Sequence, residues 1–122
     1  MKRILIVDDS MIIRMNLKKI LEKSGYTVVG EATNGKEAVE KHLQYNPDLT
    51  TMDITMPVMD GIEALKEIKS SDKQAKVMMI SALGQEFKIA EALSCGAAHY
   101  IVKPFREEEL VKRVQSVLTL GH

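Results

Sequence analysis

A chain of 122 residues suits one domain around a single buried core. Its 17 basic residues balance 17 acidic ones, so no net field draws it to nucleic acid or an anionic membrane. Its one cysteine, Cys95, excludes an internal disulfide framework and fits a reducing compartment.

Lys2-Arg3 ahead of an apolar run looks like the start of a secretory leader, but Asp8-Asp9 ends that run after Ile4 to Val7, short of the roughly seven apolar residues a leader needs. A cytoplasmic protein is expected. Arg3-Ile4-Leu5-Ile6-Val7 reads instead as a buried strand. Met11, Ile13, Leu17, Ile20 and Leu21 then recur at near-helical spacing until Ser24-Gly25, where glycine suits a left-handed cap. Tyr26 to Ala32 is a second strand, placed at a sheet edge by the polar residues that interrupt it. Asn34-Gly35 is a hairpin signal in other settings; here good helix formers follow and Glu37 stands three residues after Asn34, so a capped helix is predicted.

A third strand follows Asn46-Pro47-Asp48 and closes at Asp53, with Pro57 and Gly61 as loop punctuation. Asp60 and Glu63 repeat the capping pattern before Ile62, Leu65 and Ile68, which share one helical face. Lys76 to Ile80 is a fourth strand ending at Ser81-Ala82. Glu86 to Cys95 is a fourth helix stopped by Gly96, and Ala98 to Val102 is a fifth strand ending at Lys103-Pro104. Leu110, Val111, Val114, Val117 and Leu118 stripe a last helix. Five β-α units with short loops predict an α/β fold, a parallel sheet covered by helices on both faces. Residues 1–122 are expected to form one domain, since no repeat, linker or low-complexity tract divides them.

The strand ends carry the chemistry. In an open parallel sheet, ligands bind at the carboxyl edge, and there the chain places Asp8 and Asp9, then Asp53, Ser81 and Lys103. Carboxylates about 4 Å apart repel by roughly 4 kcal/mol per pair even at an effective dielectric near 20, so the three acids call for a cation or a proton. Carboxylates with open water positions suit Mg2+, which phosphate oxygens commonly complete. A lysine and a hydroxyl opposite them receive an anionic group, and a carboxylate in line serves as nucleophile: the parts of a phosphoryl transfer.

Taken singly, each residue has a plainer reading. Asp8 and Asp9 suit the start of the first helix, Asp53 a turn before Pro57, Lys103 a solvated charge, Ser81 a turn and Tyr100 a half-buried strand position. Met11, Met15, Met56 and Met59 read as adaptable filler near the mouth of the site. His42, His99 and His122 lack metal-ligand spacing to one another. The joint occurrence on successive strand ends is what favours a site.

With Val7-Asp8-Asp9-Ser10, Met52-Asp53-Ile54-Thr55-Met56-Pro57, Ser81-Ala82 and Val102-Lys103-Pro104-Phe105 in this order, the chain resembles the receiver domains of two-component response regulators across residues 3 to 118. Ser81-Ala82-Leu83-Gly84-Gln85 is similar to the single-domain chemotaxis branch. The resemblance implies a flavodoxin-like (βα)5 sandwich with strand order 2-1-3-4-5. It implies that Asp53 accepts a phosphoryl group from a sensor histidine kinase, as a phosphoacceptor that supports its own phosphotransfer and slow dephosphorylation rather than as a turnover enzyme. By the same resemblance Asp8, Asp9, Asp53 and the main-chain carbonyl of Thr55 hold Mg2+, Lys103 pairs with the phosphate, and Ser81 and Tyr100 are the switch pair that reshapes the face of the fourth helix, fifth strand and fifth helix. Thr55 and Leu83 match positions that tune the phosphoryl lifetime. The Lys103-Pro104 bond is cis in relatives. The implied partners are the kinase, a phosphatase and a downstream protein such as a flagellar motor switch component, with no direct contact to nucleic acid or membrane.

One departure from the family pattern is Thr50-Thr51, where relatives carry aliphatic residues; β-branching suits a strand, and local bonding of the hydroxyls is expected. Three other readings stay open on the residues. A receiver cut from a longer regulator has the same motifs. A flavodoxin-like cofactor carrier is opposed by Asp8-Asp9 in the first loop, where a flavin phosphate needs donors. A phosphatase with an aspartate nucleophile wants a second acid where Thr55 stands.

Overall fold

The apolar runs and helical stripes form the expected elements. The computed structural model describes residues 1–120, in the order β1 (Arg3–Val7), α1 (Met11–Lys23), β2 (Thr27–Ala32), α2 (Gly35–Tyr45), β3 (Leu49–Asp53), α3 (Gly61–Ser71), β4 (Val77–Ala82), α4 (Glu86–Ser94), β5 (His99–Lys103) and α5 (Glu107–Leu120). The strands make one parallel sheet in the order β2-β1-β3-β4-β5, the flavodoxin-like arrangement. β2 lies at an edge, as its polar residues predict.

Strand alternation sorts the core into two layers. Leu5 and Val7 of β1, Met52 of β3 and Val77 and Met79 of β4 face one side, where Ala38 of α2, Leu65 and Ile68 of α3 and Ala92 of α4 cover them. Ile4, Ile6, Leu49, Met78, Ile80 and Ile101 face the other, against Leu17 and Leu21 of α1 and Leu110 and Val114 of α5. Both faces are therefore dry, and β3, in the middle, is buried along its whole length.

That burial overturns one expectation. The Thr50 and Thr51 hydroxyls are both enclosed and neither has a hydrogen-bond partner. The ladder holds their backbone extended, and their side chains point into apolar layers that offer no acceptor. Met11 and Met15 also depart from the prediction: both stand in solvent on the outer side of α1, while Met56 is buried and Met59 half-buried.

The helix starts keep the site residues free. Ser10, not an aspartate, caps α1, its Oγ accepting from the Ile13 N–H at 3.3 Å. Asn34 and Asp60 accept from the N–H groups of Glu37 and Glu63, each at 2.9 Å, as their spacing predicts. The reciprocal arm of the first box goes one residue further out, with Glu37 accepting from the Thr33 N–H at 2.8 Å.

Candidate functional site

Register brings the strand ends together. Val7 pairs with Met52, Asp53 with Ile80 and Ala82 with Lys103, so β1, β3, β4 and β5 finish along one edge. Asp8, Asp9, Asp53, Ser81 and Lys103 all stand on it, as the sequence predicts.

Asp8 is fully buried, and the fold satisfies it from three directions. Its Oδ1 accepts from the Ser10 N–H at 2.9 Å, its Oδ2 lies 3.2 Å from Lys103 Nζ, and its main-chain carbonyl accepts from Arg14 Nη1 at 2.7 Å. Arg14 is fixed in turn by Glu31 of β2, Nε to Oε1 at 3.0 Å. Asp53 is also buried, with Oδ1 3.4 Å from the same Lys103 nitrogen. Asp9 projects into solvent.

One carboxylate oxygen from each of Asp8, Asp9 and Asp53 lies within 4.8 Å of the other two. Among the described residues this is the one cluster with the makings of a metal site. Burial, and then the charge of Asp8, push the Asp53 carboxyl up from 3.8 to about 6, against the opposing pull of Lys103. For Lys103, burial alone would favour the neutral amine, but the Asp53 and Asp8 carboxylates outweigh it and hold the ammonium above its ordinary value. An all-oxygen donor set, short of positive charge and open to water at Asp9, fits a hard divalent cation.

The remaining predicted residues frame this centre. Ser81 is fully buried at the end of β4, and its hydroxyl makes only a long 3.4 Å contact to the Ala82 carbonyl. Thr55 is exposed two residues past Asp53, and Leu83 is exposed two past Ser81. Tyr100 lies away from the rim, half-buried on β5 opposite Met79. Arg113 of α5 donates to the Tyr100 carbonyl at 2.7 Å and places its guanidinium carbon 5.2 Å from the ring centre. The Lys103-Pro104 bond is cis.

Three further residues join the site in roles the sequence did not signal, although Ser10 and Gln85 lie within motifs quoted above. Ser10 and Arg14 hold Asp8, and Gln85 links the two loops over the site, its Oε1 accepting from the Ala82 N–H and its Nε2 donating to Thr55 Oγ1, each at 2.8 Å. His42 is buried against Asp72, 3.1 Å away, and no histidine joins the acidic cluster; His122 lies outside the described residues. No described helix is long and apolar enough to cross a membrane.

Known proteins share this fold. The family described as response regulator receiver domain matches residues 4–115. Chemotaxis proteins CheY from Thermotoga maritima and Bacillus subtilis are each 53% identical over 116 residues, covering 95% of this chain and 97% of theirs. Among solved structures, the CheX-CheY-BeF3-Mg complex from Borrelia burgdorferi matches with a TM-score of 0.92 at 43% identity, covering 96% of this chain and 89% of that one.

Proposed function

The chain belongs to the response regulator receiver family, and on that footing we propose that it is a two-component chemotaxis response regulator whose residues 1–122 form one receiver domain and which acts in the cytoplasm. The observation that carries the reading is Lys103 Nζ held between Asp8 Oδ2 and Asp53 Oδ1, one ammonium shared by two buried carboxylates at the sheet edge. The near-complete coverage of CheY proteins supports the chemotaxis assignment.

Asp53 is the phosphoacceptor. A carboxylate oxygen attacks the phosphorus of a phosphohistidine on a sensor kinase, the P–N bond breaks, and its electron pair leaves on the ring nitrogen, which gives an acyl phosphate on Asp53. Lys103 meets the added charge as a cation already in place. Asp8, Asp9 and Asp53, with the Thr55 carbonyl, would hold Mg2+, which when bound would supply positive charge against the phosphoryl group. Water attacking the same phosphorus returns the carboxylate and releases phosphate, so Asp53 carries a transient mark, and Thr55 and Leu83 at the rim set how readily water arrives.

The new group adds about −1.5 to −2 charges and three acceptors where Ser81 is buried with one weak contact. Ser81 turns to the phosphoryl oxygens. Tyr100, on the neighbouring strand and tied to α5 through Arg113, follows by repacking the surface of α4, β5 and α5. That surface is the output, and its partners are proteins: a downstream target such as a flagellar motor switch component and a phosphatase. The Borrelia burgdorferi relative, solved with CheX, BeF3 and Mg, supports a protein partner for the activated form.

Incubation with magnesium and acetyl phosphate should add one phosphate by mass and none in Asp53→Asn. An equal gain in that variant overturns the assignment.

A further inference from the structure

We propose that Gln85 is a latch on this site: its side-chain amide occupies the Ala82 N–H and bridges to Thr55, and it must let go before that N–H can bind an oxygen of a group carried on Asp53. The proposal rests on the reading of Asp53 as phosphoacceptor.

Strand geometry locates the N–H. In a β-strand the N–H and C=O of one residue point to the same side, and successive residues alternate. The Ile54 N–H donates to the Ile80 carbonyl at 3.1 Å, so Ile80 faces β3. Ser81 then faces β5, and Ala82 faces the β3 side again. β3 has ended by then: its last pair with β4 is Asp53 with Ile80, and the chain turns away towards Pro57. The Ala82 N–H therefore has no ladder partner and opens onto the space beyond Asp53. A backbone donor at that place is suited to a developing or transferred anion.

Here the donor is taken. Gln85 Oε1 accepts from it at 2.8 Å, and Gln85 Nε2 reaches across to Thr55 Oγ1 at 2.8 Å. The pair of bonds joins the β4–α4 loop to the β3–α3 loop across the mouth of the site. Gln85 occupies the N-cap position of α4 yet makes no side-chain cap bond, so its amide is committed to the bridge and not to its own helix. Ala82 and Thr55 are both exposed, so water can replace each bond when the side chain swings out. The latch is therefore one that opens at modest cost.

The test compares wild type, Gln85→Ala and Gln85→Glu, each with magnesium and acetyl phosphate. Readouts are the rate of mass gain, hydrogen exchange of the Ala82 amide before phosphodonor is added, and a thermal melt to confirm folding. Alanine frees the N–H, so phosphorylation should be about three- to tenfold faster, the factor a single hydrogen bond carries. The Ala82 amide should exchange faster by a similar factor. Glutamate keeps the acceptor, lets the Thr55 hydroxyl donate to it and adds a negative charge, so phosphorylation should slow. Opposite signs for the two variants mark a latch, since a merely structural role would slow both. An alanine variant that is phosphorylated no faster than wild type overturns the proposal, as does one whose Ala82 amide is as protected as before. Failure of wild type itself to gain phosphate removes the Asp53 assignment and the latch with it, a result distinct from the other two.

Discussion

Lys103 Nζ stands 3.4 Å from Asp53 Oδ1 although their strands, β5 and β3, are separated by β4. The long lysine stem crosses the end of the intervening strand, which finishes at Ala82 beside it. The same nitrogen reaches Asp8, so one cation offsets two buried acids.

Lys103→Met should therefore destabilise the metal-free protein. With the ammonium gone, two enclosed carboxylates repel each other with no counter-charge. Breaking a fully buried pair costs about 3–5 kcal/mol, and because Lys103 is partly exposed the loss here should be about 1–3 kcal/mol at pH 8. Thermal unfolding in EDTA measures it, at about 4 °C per kcal/mol for a chain of this size. The loss should shrink in an Asp53→Asn background, where one of the two acids is already neutral. An unchanged melting temperature would show that the pair contributes nothing.

The raised Asp53 carboxyl makes stability depend on pH with a definite sign. Burial and Asp8 lift it from 3.8 to about 6, so the folded state holds this proton more tightly than the unfolded chain does. The stabilisation it gives is fully present below about 3.8 and lost as pH rises through about 6. At pH 8 the ionised Asp53 then costs up to about 3 kcal/mol, taking 1.36 kcal/mol per pKa unit. In EDTA, Asp53→Asn should accordingly be more stable than wild type at pH 8 by about 1–3 kcal/mol and equal to it near pH 3.5. Urea titrations at the two pH values check this, and a variant less stable at pH 8 contradicts it.

Thr50→Val and Thr51→Val should each stabilise the fold. Both hydroxyls are buried without a partner, and valine keeps the shape and β-branching while removing the unpaired group. A gain of about 1 kcal/mol per site is expected, seen as a higher urea midpoint with an unchanged slope. These residues also mark where the sequence stops being informative. Their β-branching announces a strand, but whether a hydroxyl finds an acceptor depends on which helices cover that strand.

The same division runs through the site. Asp8, Asp9, Asp53, Ser81 and Lys103 were legible because each follows an apolar run, and in a parallel sheet the run's end fixes its place on the carboxyl edge. Arg14 and Gln85 were not. Arg14 reads as a solvent-facing helix residue until Glu31, 17 positions away, is seen beside it. Gln85 ends the Ser81 to Gln85 run ahead of the fourth helix, and only tertiary placement brings it to Thr55, 30 positions away. His42 is legible as a helix residue but not as the buried partner of Asp72.

Gly61 offers a stringent check on how Asp53 is held. Its N–H donates to the Ile54 carbonyl at 2.7 Å, and α3 begins hard against the end of β3. A Cβ there would stand 2.1 Å from the Asp53 carbonyl oxygen, which no side-chain rotation relieves because the neighbour is backbone. Gly25 differs: at φ +93° it is constrained by conformation alone, and a Cβ would meet nothing within 4 Å. Gly25→Ala should therefore cost about 1 kcal/mol and leave Asp53 untouched. Gly61→Ala should cost about 3 kcal/mol or more and slow phosphorylation by acetyl phosphate, since relief of the clash moves the end of β3 that carries the acid. Denaturation midpoints and rates of mass gain for the two variants decide the matter. Equal losses, or a Gly61→Ala protein phosphorylated at the wild-type rate, would mean that Asp53 is not positioned by this contact.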